Sequence, residues 1–181
     1  YFGVKFATAT SSGTGAVHSA IASLDLEPGS EVITTPITDP GTVMPIIFQG
    51  LIPVFADVEF ETLNITEKTI EKVITEKTKA LIVVHLAGVP CEMDKIMKVA
   101  KKYKLKVIED CAQAHGSIYK GRYVGTFGDM GVFSLMSGKH ITSGGQGGMV
   151  ITDKEKYYWA AKRFADRGKP FGIKNPEGNV S

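Results

Sequence analysis

The chain has 181 residues, of which 43% are hydrophobic and 22% are charged, and its formal net charge is +2. This composition is typical of a globular domain with a substantial core, and the small charge gives no reason to expect nucleic acid or an anionic membrane as a partner. No apolar run approaches the ~20 residues of a membrane span, and we expect no signal peptide. Two cysteines, Cys91 and Cys111, make no disulfide framework, so we expect reduced thiols in a cytoplasmic protein.

Hydrophobic periodicity and turn residues predict strands and helices that alternate along the chain. In chain order they are a strand at 5–10, a helix from Gly15, a strand at 31–35, a helix at 42–48, a strand at 52–58, a helix at 66–74, a strand at 78–85, a helix at 93–103, strands at 105–110, 129–135 and 148–152, and a closing helix at 154–167. The strands at 52–58 and 78–85 are expected to be buried. The alternation predicts an α/β domain with a mostly parallel sheet flanked by helices.

Lys139 has the most specific chemical interpretation of any residue in the chain. It lies in the loop after the strand at 129–135, five residues after Ser134 and shortly before the glycine-rich stretch 144–148. A lysine amine can hold an aldehyde cofactor covalently, and the glycines allow the backbone to approach a ligand closely. We interpret Lys139 as the lysine that binds pyridoxal 5'-phosphate (PLP); the alternative is a surface lysine before a flexible loop.

Two upstream segments fit a cofactor that carries a phosphate and a ring nitrogen. Ser-Ser-Gly-Thr at 11–14 opens a helix, where free backbone N–H groups form an anion site; a plain N-cap is the alternative. Asp110 ends a strand, and a buried carboxylate is costly without a cationic partner. A protonated ring nitrogen would be such a partner, with a metal ligand or a helix cap as the alternatives. Glu109 is predicted to point to the opposite face of the strand.

Other polar residues near the strand ends are less specific. Ser134 could donate to a phosphate oxygen, and Gln113 could bond an oxygen of a cofactor or substrate, although polar loop residues are more often structural. His85 is interpreted as a structural histidine. The four histidines show neither H-x-x-x-H nor H-E-x-x-H spacing, so we predict no metal site.

Seven segments together resemble the DegT/DnrJ/EryC1/StrS family of PLP-dependent sugar aminotransferases. They are T-S-S-G-T-G-A-V-H, L-E-P-G-S-E-V-I, P-V-F-A-D-V, K-T-K-A-L-I-V-V-H-L-A-G-V-P, V-I-E-D-C-A-Q-A-H-G, G-D-M-G-V-F-S and K-H-I-T-S-G-G-Q-G-G. The family has PLP fold type I, so the resemblance implies an aspartate-aminotransferase-like large domain over residues 1–168. Residues 169–181 would be a loop leading to a C-terminal domain outside this sequence.

The resemblance implies roles for individual residues. Lys139 would bind the aldehyde of PLP and then move the proton during transamination. Asp110 would pair with the ring nitrogen, and Gln113 would lie near the phenolic oxygen. The phosphate would be held by Gly13, Thr14 and Ser134.

The resemblance also implies a reaction and a partner. An amino group would pass from glutamate or glutamine to a ketone on a sugar, usually nucleotide-linked, or on a cyclitol, in a homodimer with a shared active site. Two alternatives stay open: a sugar dehydratase of the same family, in which histidine replaces the lysine, and a cofactor-binding regulatory protein without turnover. Asp39 stands where many members carry an aromatic residue that stacks on the cofactor, which implies an unusual substrate pocket.

Overall fold

The computed structural model describes residues 1–170, which form nine strands, five α-helices and a short 3-10 helix at Leu86–Gly88. The strands are β1 (Phe6–Thr10), β2 (Glu31–Thr34), β3 (Ile52–Phe55), β4 (Thr78–Val84), β5 (Lys106–Asp110), β6 (Ile118–Tyr119), β7 (Arg122–Tyr123), β8 (Met130–Ser134) and β9 (Gly148–Thr152). The helices are α1 (Gly13–Ala22), α2 (Pro40–Phe48), α3 (Glu67–Glu71), α4 (Met93–Tyr103) and α5 (Glu155–Ala165). Every strand and helix that the sequence predicts is present, and the β6–β7 hairpin was not predicted.

Seven strands form one sheet in the order β1-β9-β8-β5-β4-β2-β3. The strands from β8 to β3 pair in parallel, and β9 runs antiparallel to both of its neighbours, β1 and β8. This confirms the prediction of an α/β fold with a mostly parallel sheet. Because β9 is the one reversed strand of the seven, the carboxyl ends of the other six point toward the same edge of the sheet.

Helices cover both faces of the sheet, and neighbouring residues of the central strands alternate between two cores. Ile82 and Ile108 pack with α1 and α5 on one face. Leu81 and Val107 pack with α4 on the other face, where Ile96 is fully buried. The central strands are therefore enclosed on both sides, as expected for parallel strands with crossover helices.

The expected burial of the strand at 52–58 is wrong. This segment forms β3 at the edge of the sheet, where Ile52 and Phe55 are 44% and 48% exposed. An edge strand has one strand neighbour, and Pro53, which lacks a backbone N–H, is tolerated there. The regular strand also ends at Phe55, three residues earlier than predicted.

Helices α3 and α2 are among those that differ from the prediction in their bounds. The helix expected at 66–74 ends at Glu71, because the Val73 N–H turns back to the carbonyl of Ile70. Its predicted cap is confirmed, since the Thr66 hydroxyl accepts the N–H of Thr69. The helix expected from Thr42 begins two residues earlier, at Pro40.

No helix within residues 1–170 has the length and apolar character needed to cross a membrane.

The closing helix ends at Ala165, two residues before the predicted bound. Most of the segment 169–181, which the sequence predicts to be a loop, lies outside the described residues.

Candidate active site

A cavity of ≈ 270 Å³ opens where β4, β5 and β8 end, between the N-termini of α1 and α2. Ligands bind at this edge in many open α/β sheets. The cavity is lined by all six residues that the sequence nominates, which are Gly13, Thr14, Asp110, Gln113, Ser134 and Lys139. The fold therefore brings together side chains that lie up to 126 positions apart, counted as 139 minus 13.

The N-terminus of α1 forms one wall of the cavity. Ser12 caps the helix, because its hydroxyl accepts the N–H of Gly15 at 3.0 Å. The N–H groups of Gly13 and Thr14 lie in the first turn and have no acceptor within the helix, so they can bind an anion. A Cβ at Gly13 would lie 2.6 Å from the Cβ of Ser134, so glycine lets the helix start and the end of β8 meet.

Asp110 forms the floor of the cavity and is 4% exposed. Its two oxygens accept hydrogen bonds from the Thr42 hydroxyl at 2.8 Å and from the Ala112 N–H at 3.0 Å. Burial raises the pKa of Asp110, while these two donors and the charge of Lys139 oppose the increase. A buried carboxylate of this kind is stabilised when a cation occupies the cavity beside it.

Lys139 lies in the connection between β8 and β9. The backbone N–H of Lys139 donates to the Met136 carbonyl at 2.9 Å, which closes a turn within the connection. The two arms of the connection are held together by the N–H of Leu135, which donates to Gly147, and by that of Ser137, which donates to Gly145. The loop is thus closed on itself, and it presents Lys139 to the same cavity as Asp110.

Gln113 has a defined amide orientation. Its Oε1 accepts the N–H of Ala87 at 2.8 Å, and Ala87 has the left-handed φ of 50°. With the carbonyl oxygen engaged by this turn, the amide nitrogen is the group that can donate into the cavity. This polarity fits a ligand oxygen that accepts a hydrogen bond.

Asp39 and Gly41 lie at the start of α2, on the opposite wall. Asp39 is the N-cap of the helix, since its Oδ1 accepts the Gly41 N–H at 2.7 Å. A Cβ at Gly41 would lie 2.6 Å from the Thr14 hydroxyl, so the glycine allows the starts of α1 and α2 to approach closely. The carboxylate of Asp39 therefore lines the cavity at a position that the cap geometry fixes.

Thr38 and Thr42 line the cavity and no local sequence pattern assigns them a site role, whereas His115 is not among the lining residues. Thr42 donates to Asp110, and Thr38 bonds Thr42 at 2.8 Å. His115 bonds the Ser134 carbonyl through Nε2 at 2.8 Å, and burial lowers its pKa. A neutral His115 that donates at Nε2 holds the end of β8 in place.

His85 and Glu109 are fully buried and are not among the residues that line the cavity. The Cys91 N–H donates to His85 Nδ1, so the ring carries its proton on Nε2 and donates it to Glu109 at 3.1 Å. Glu109 faces away from the cavity, as the strand alternation predicts. Among residues 1–170 no cluster of three or more potential metal ligands occurs.

Residues 1–177 match the sequence model of the DegT/DnrJ/EryC1/StrS aminotransferase family. The chain belongs to this family. The resemblance seen in the sequence segments is therefore confirmed over nearly the whole chain.

Three relatives show the range of the family. The chain is 46% identical over 165 residues to GDP-perosamine synthase of Escherichia coli O157:H7, covering 91% of this chain and 45% of that protein. It is 34% identical to Helicobacter pylori PseC, described as an aminotransferase involved in the biosynthesis of pseudoaminic acid. That structural match has a TM-score of 0.88 and covers 99% of this chain and 48% of that chain. It is also 34% identical to the E. coli GDP-4-keto-6-deoxy-D-mannose-3-dehydratase with bound hydrated PLP. That match has a TM-score of 0.82 and covers 87% of this chain and 42% of that chain.

The chain thus spans less than half the length of these family members. The structural matches confirm that its fold is the one found in family members that have been solved. They cover an aminotransferase and a dehydratase, so family membership by itself leaves the reaction of this chain to be argued from its residues.

Proposed function

We propose that the protein is a PLP-dependent aminotransferase that moves an amino group from glutamate or glutamine to a keto-sugar or a cyclitol. Among keto-sugars, those linked to a nucleotide are the leading candidates. The observation that carries this proposal is that Lys139 and Asp110 line one cavity. A lysine that can bind an aldehyde and a buried carboxylate that can bind a cationic ring are the two groups that PLP requires. A relative described as an aminotransferase and another solved with bound PLP support it.

The cavity fits PLP at three separate points. The first-turn N–H groups of Gly13 and Thr14, with Ser134 beside them, form a cradle that suits a phosphate. Asp110 lies at the far side and lacks a cationic ligand of its own within bonding distance in the described part of the chain. Between them, Gln113 can donate to an oxygen on the ring.

PLP supplies an electron sink for the electrons released at the substrate carbon. Lys139 would hold the aldehyde and afterwards carry the proton between the substrate carbon and the adjacent cofactor carbon. Asp110 would keep the ring nitrogen protonated, because an anion at close range favours the cationic form. Gly13, Thr14 and Ser134 would bind the phosphate and so fix the distance between the ring and Lys139.

The dehydratase alternative depends on the residue that faces the cofactor. In the dehydratases of this family a histidine stands in place of the lysine. In this chain Lys139 lines the cavity, whereas its neighbour His140 is not among the lining residues. The cavity therefore favours transamination over dehydration.

The domain assignment is part of the same proposal. We infer that residues 1–168 form the cofactor-binding large domain of the enzyme and that its active form is a homodimer with a shared active site. Exposed apolar side chains at the C-terminal end of α2 suit such an interface: Ile47 is 50% exposed and Phe48 is 60% exposed. Sedimentation of the intact protein with and without PLP tests the homodimer, and a monomer in both conditions would contradict it.

The test of the function follows PLP by absorbance and by covalent capture. We expect wild-type protein to show a visible band with PLP that bleaches on addition of glutamate or glutamine, and borohydride reduction to fix the cofactor on the peptide that contains Lys139. Lys139→Ala should lose both the band and the captured peptide, while Lys98→Ala, an exposed lysine on α4, should keep both. Capture on another lysine would contradict the assignment of Lys139.

Turnover distinguishes the enzyme from a cofactor-binding regulatory protein. Wild-type protein with PLP, glutamate and a panel of nucleotide-linked keto-sugars should yield 2-oxoglutarate and an amino sugar in equal amounts. A band that bleaches with the amino donor and returns with the keto-sugar supports transamination. Release of water from the sugar without net amination would instead identify a dehydratase.

A further inference from the structure

A chain of hydroxyl groups runs from α2 to Asp110. Thr38 Oγ1 lies 2.8 Å from Thr42 Oγ1, which in turn lies 2.8 Å from Asp110 Oδ2. Thr42 is 2% exposed and Asp110 is 4% exposed, so water competes poorly for either group. Thr38 lies nearer the surface, among the residues that line the cavity.

The direction of this chain follows from the number of protons available. An ionised carboxylate accepts hydrogen bonds and donates none, so Thr42 must donate to Asp110. A threonine hydroxyl has one proton, so Thr42 then accepts from Thr38. Both hydroxyl dipoles therefore point toward Asp110 and stabilise its negative charge.

Capping of α2 does not explain the position of the Thr42 hydroxyl. The cap is supplied by Asp39, whose carboxylate accepts the Gly41 N–H, and whose carbonyl accepts the Thr42 N–H. The hydroxyl of Thr42 is left to bond a carboxylate 68 residues away in the sequence. A contact of this kind ties the start of α2 to a buried carboxylate that lines the cavity.

We propose that Thr42 is a positioning residue that keeps Asp110 ionised and oriented toward the protonated ring nitrogen of PLP. The proposal rests on the proposed function, since it assigns Thr42 to the same cofactor site. Burial raises the pKa of Asp110, and the hydrogen bond from Thr42 opposes this increase. Without that hydrogen bond, Asp110 would take up a proton at a higher pH and would lose its attraction for a cationic ring.

The experiment compares two cofactors on isosteric variants of the intact protein. Thr42→Val removes the hydroxyl and keeps the shape, whereas Thr42→Ser keeps the hydroxyl. The ligands are PLP and its 1-deaza analogue, in which a carbon replaces the ring nitrogen and no cation can form. Dissociation constants are measured by fluorescence titration from pH 5 to pH 9, together with circular dichroism to confirm folding.

Thr42→Val is expected to bind PLP about tenfold more weakly near pH 7, which is the size of effect of losing a hydrogen bond to a charged group. Its affinity for the deaza analogue should stay within about twofold of wild type, because that ligand does not use the charge of Asp110. PLP binding should weaken below a limiting pH at which Asp110 takes up a proton, and this low-pH limit should be higher in Thr42→Val than in wild type. Thr42→Ser should restore the wild-type limit. Thr38→Val removes the outer hydroxyl and should move that limit in the same direction by less.

Equal weakening of PLP and the deaza analogue in Thr42→Val would overturn the inference, because it would show a general packing role. Unchanged PLP affinity and an unchanged pH limit would overturn it as well. If Thr42→Val does not fold, Thr38→Val decides the question. A low-pH limit that shifts for PLP and not for the deaza analogue supports the role of the hydroxyl chain, and an unshifted limit overturns the inference. Failure of the wild type to bind either ligand would overturn the proposed function itself, which is a distinct result.

Discussion

Glu109 and Asp110 are consecutive carboxylates on β5, both almost fully buried, and their surroundings differ sharply. Glu109 accepts three backbone N–H groups from the segment 125–128, at 2.6–2.8 Å, and a fourth hydrogen bond from the ring of His85. Every one of these donors belongs to the protein. The charge of Glu109 is therefore balanced inside the fold, and its side chain anchors a loop to the sheet.

Asp110 has a less complete set of partners. It accepts two hydrogen bonds, from Thr42 and Ala112, and the cavity lies beside it. Burial raises its pKa, which is the mark of a charge that the fold does not fully compensate. Burial alone therefore does not identify a functional carboxylate. A carboxylate saturated by the fold has a structural role, and one that faces a cavity with bonding capacity left can receive a ligand.

Among the substitutions that test the two roles, Glu109→Gln should have the largest effect, a loss of unfolding free energy. The new amide nitrogen would place its protons against the Gly125 N–H or the ring N–H of His85, both of which are donors. Disrupting a buried network of this kind costs about 3 kcal/mol of unfolding free energy. Urea titration measures it, and a loss of less than about 1 kcal/mol would contradict the structural role of Glu109.

Asp110→Asn is the matched substitution one residue along the strand, and its effect should fall on the ligand. PLP affinity should decrease about tenfold or more, because a charged partner is replaced by a neutral one. The ligand-free protein should be no less stable than wild type at pH 7. An Asp110→Asn protein that retains PLP but unfolds as readily as Glu109→Gln would reverse the two roles.

The pH dependence of ligand-free stability gives a second readout for Asp110. Its folded pKa is raised above the unfolded value, so its contribution is fully present below the unfolded pKa and is lost as the pH rises through the folded pKa. The contribution of Asp110 to the free energy of unfolding should therefore decrease as the pH rises from its unfolded pKa through its folded pKa. In urea titrations over this interval, the free energy of unfolding of wild type minus that of Asp110→Asn should decrease with rising pH.

Asp94→Asn should have the smallest effect and serves as a half-buried reference outside the cavity. Hydrogen bonds from Tyr119 and Lys120 lower the pKa of Asp94 to about 2. A carboxylate with a lowered pKa contributes stability above its unfolded pKa, and that contribution is lost as the pH falls toward about 2. We expect a decrease in Tm of about 1–2 °C at pH 7 that disappears near pH 2, with PLP affinity unchanged. A larger decrease would mean that the β6–β7 hairpin depends on this contact.

The sequence predicts the residues of the candidate site where the signal is local. A serine and a glycine at a helix start mark Gly13 and Thr14, and the ends of apolar strands mark Asp110 and Ser134. Lys139 follows within five residues of such an end. The structure brings all of these residues to one cavity, while their individual roles toward PLP stay predictions.

The remaining features depend on contacts between distant parts of the chain. Thr42 reaches Asp110 across 68 positions, and no local pattern marks a threonine for that contact. The exposure of β3 depends on its place at the sheet edge, which its own apolar sequence does not indicate. The strands β6 and β7 have two residues each, too few to show a period of two.

The position of β9 has a consequence for how the protein is made. β9 lies between β1 and β8, and Phe6 of β1 is opposite Thr152 of β9. During synthesis β1 leaves the ribosome long before β9, its partner strand in the described sheet, so β1 waits as an unpaired edge. The sheet, and with it the wall that joins Gly13 to Ser134, can close only after residue 152 has emerged. Cofactor capture should thus follow the synthesis of β9, and slow closure is expected for a pairing of such long range.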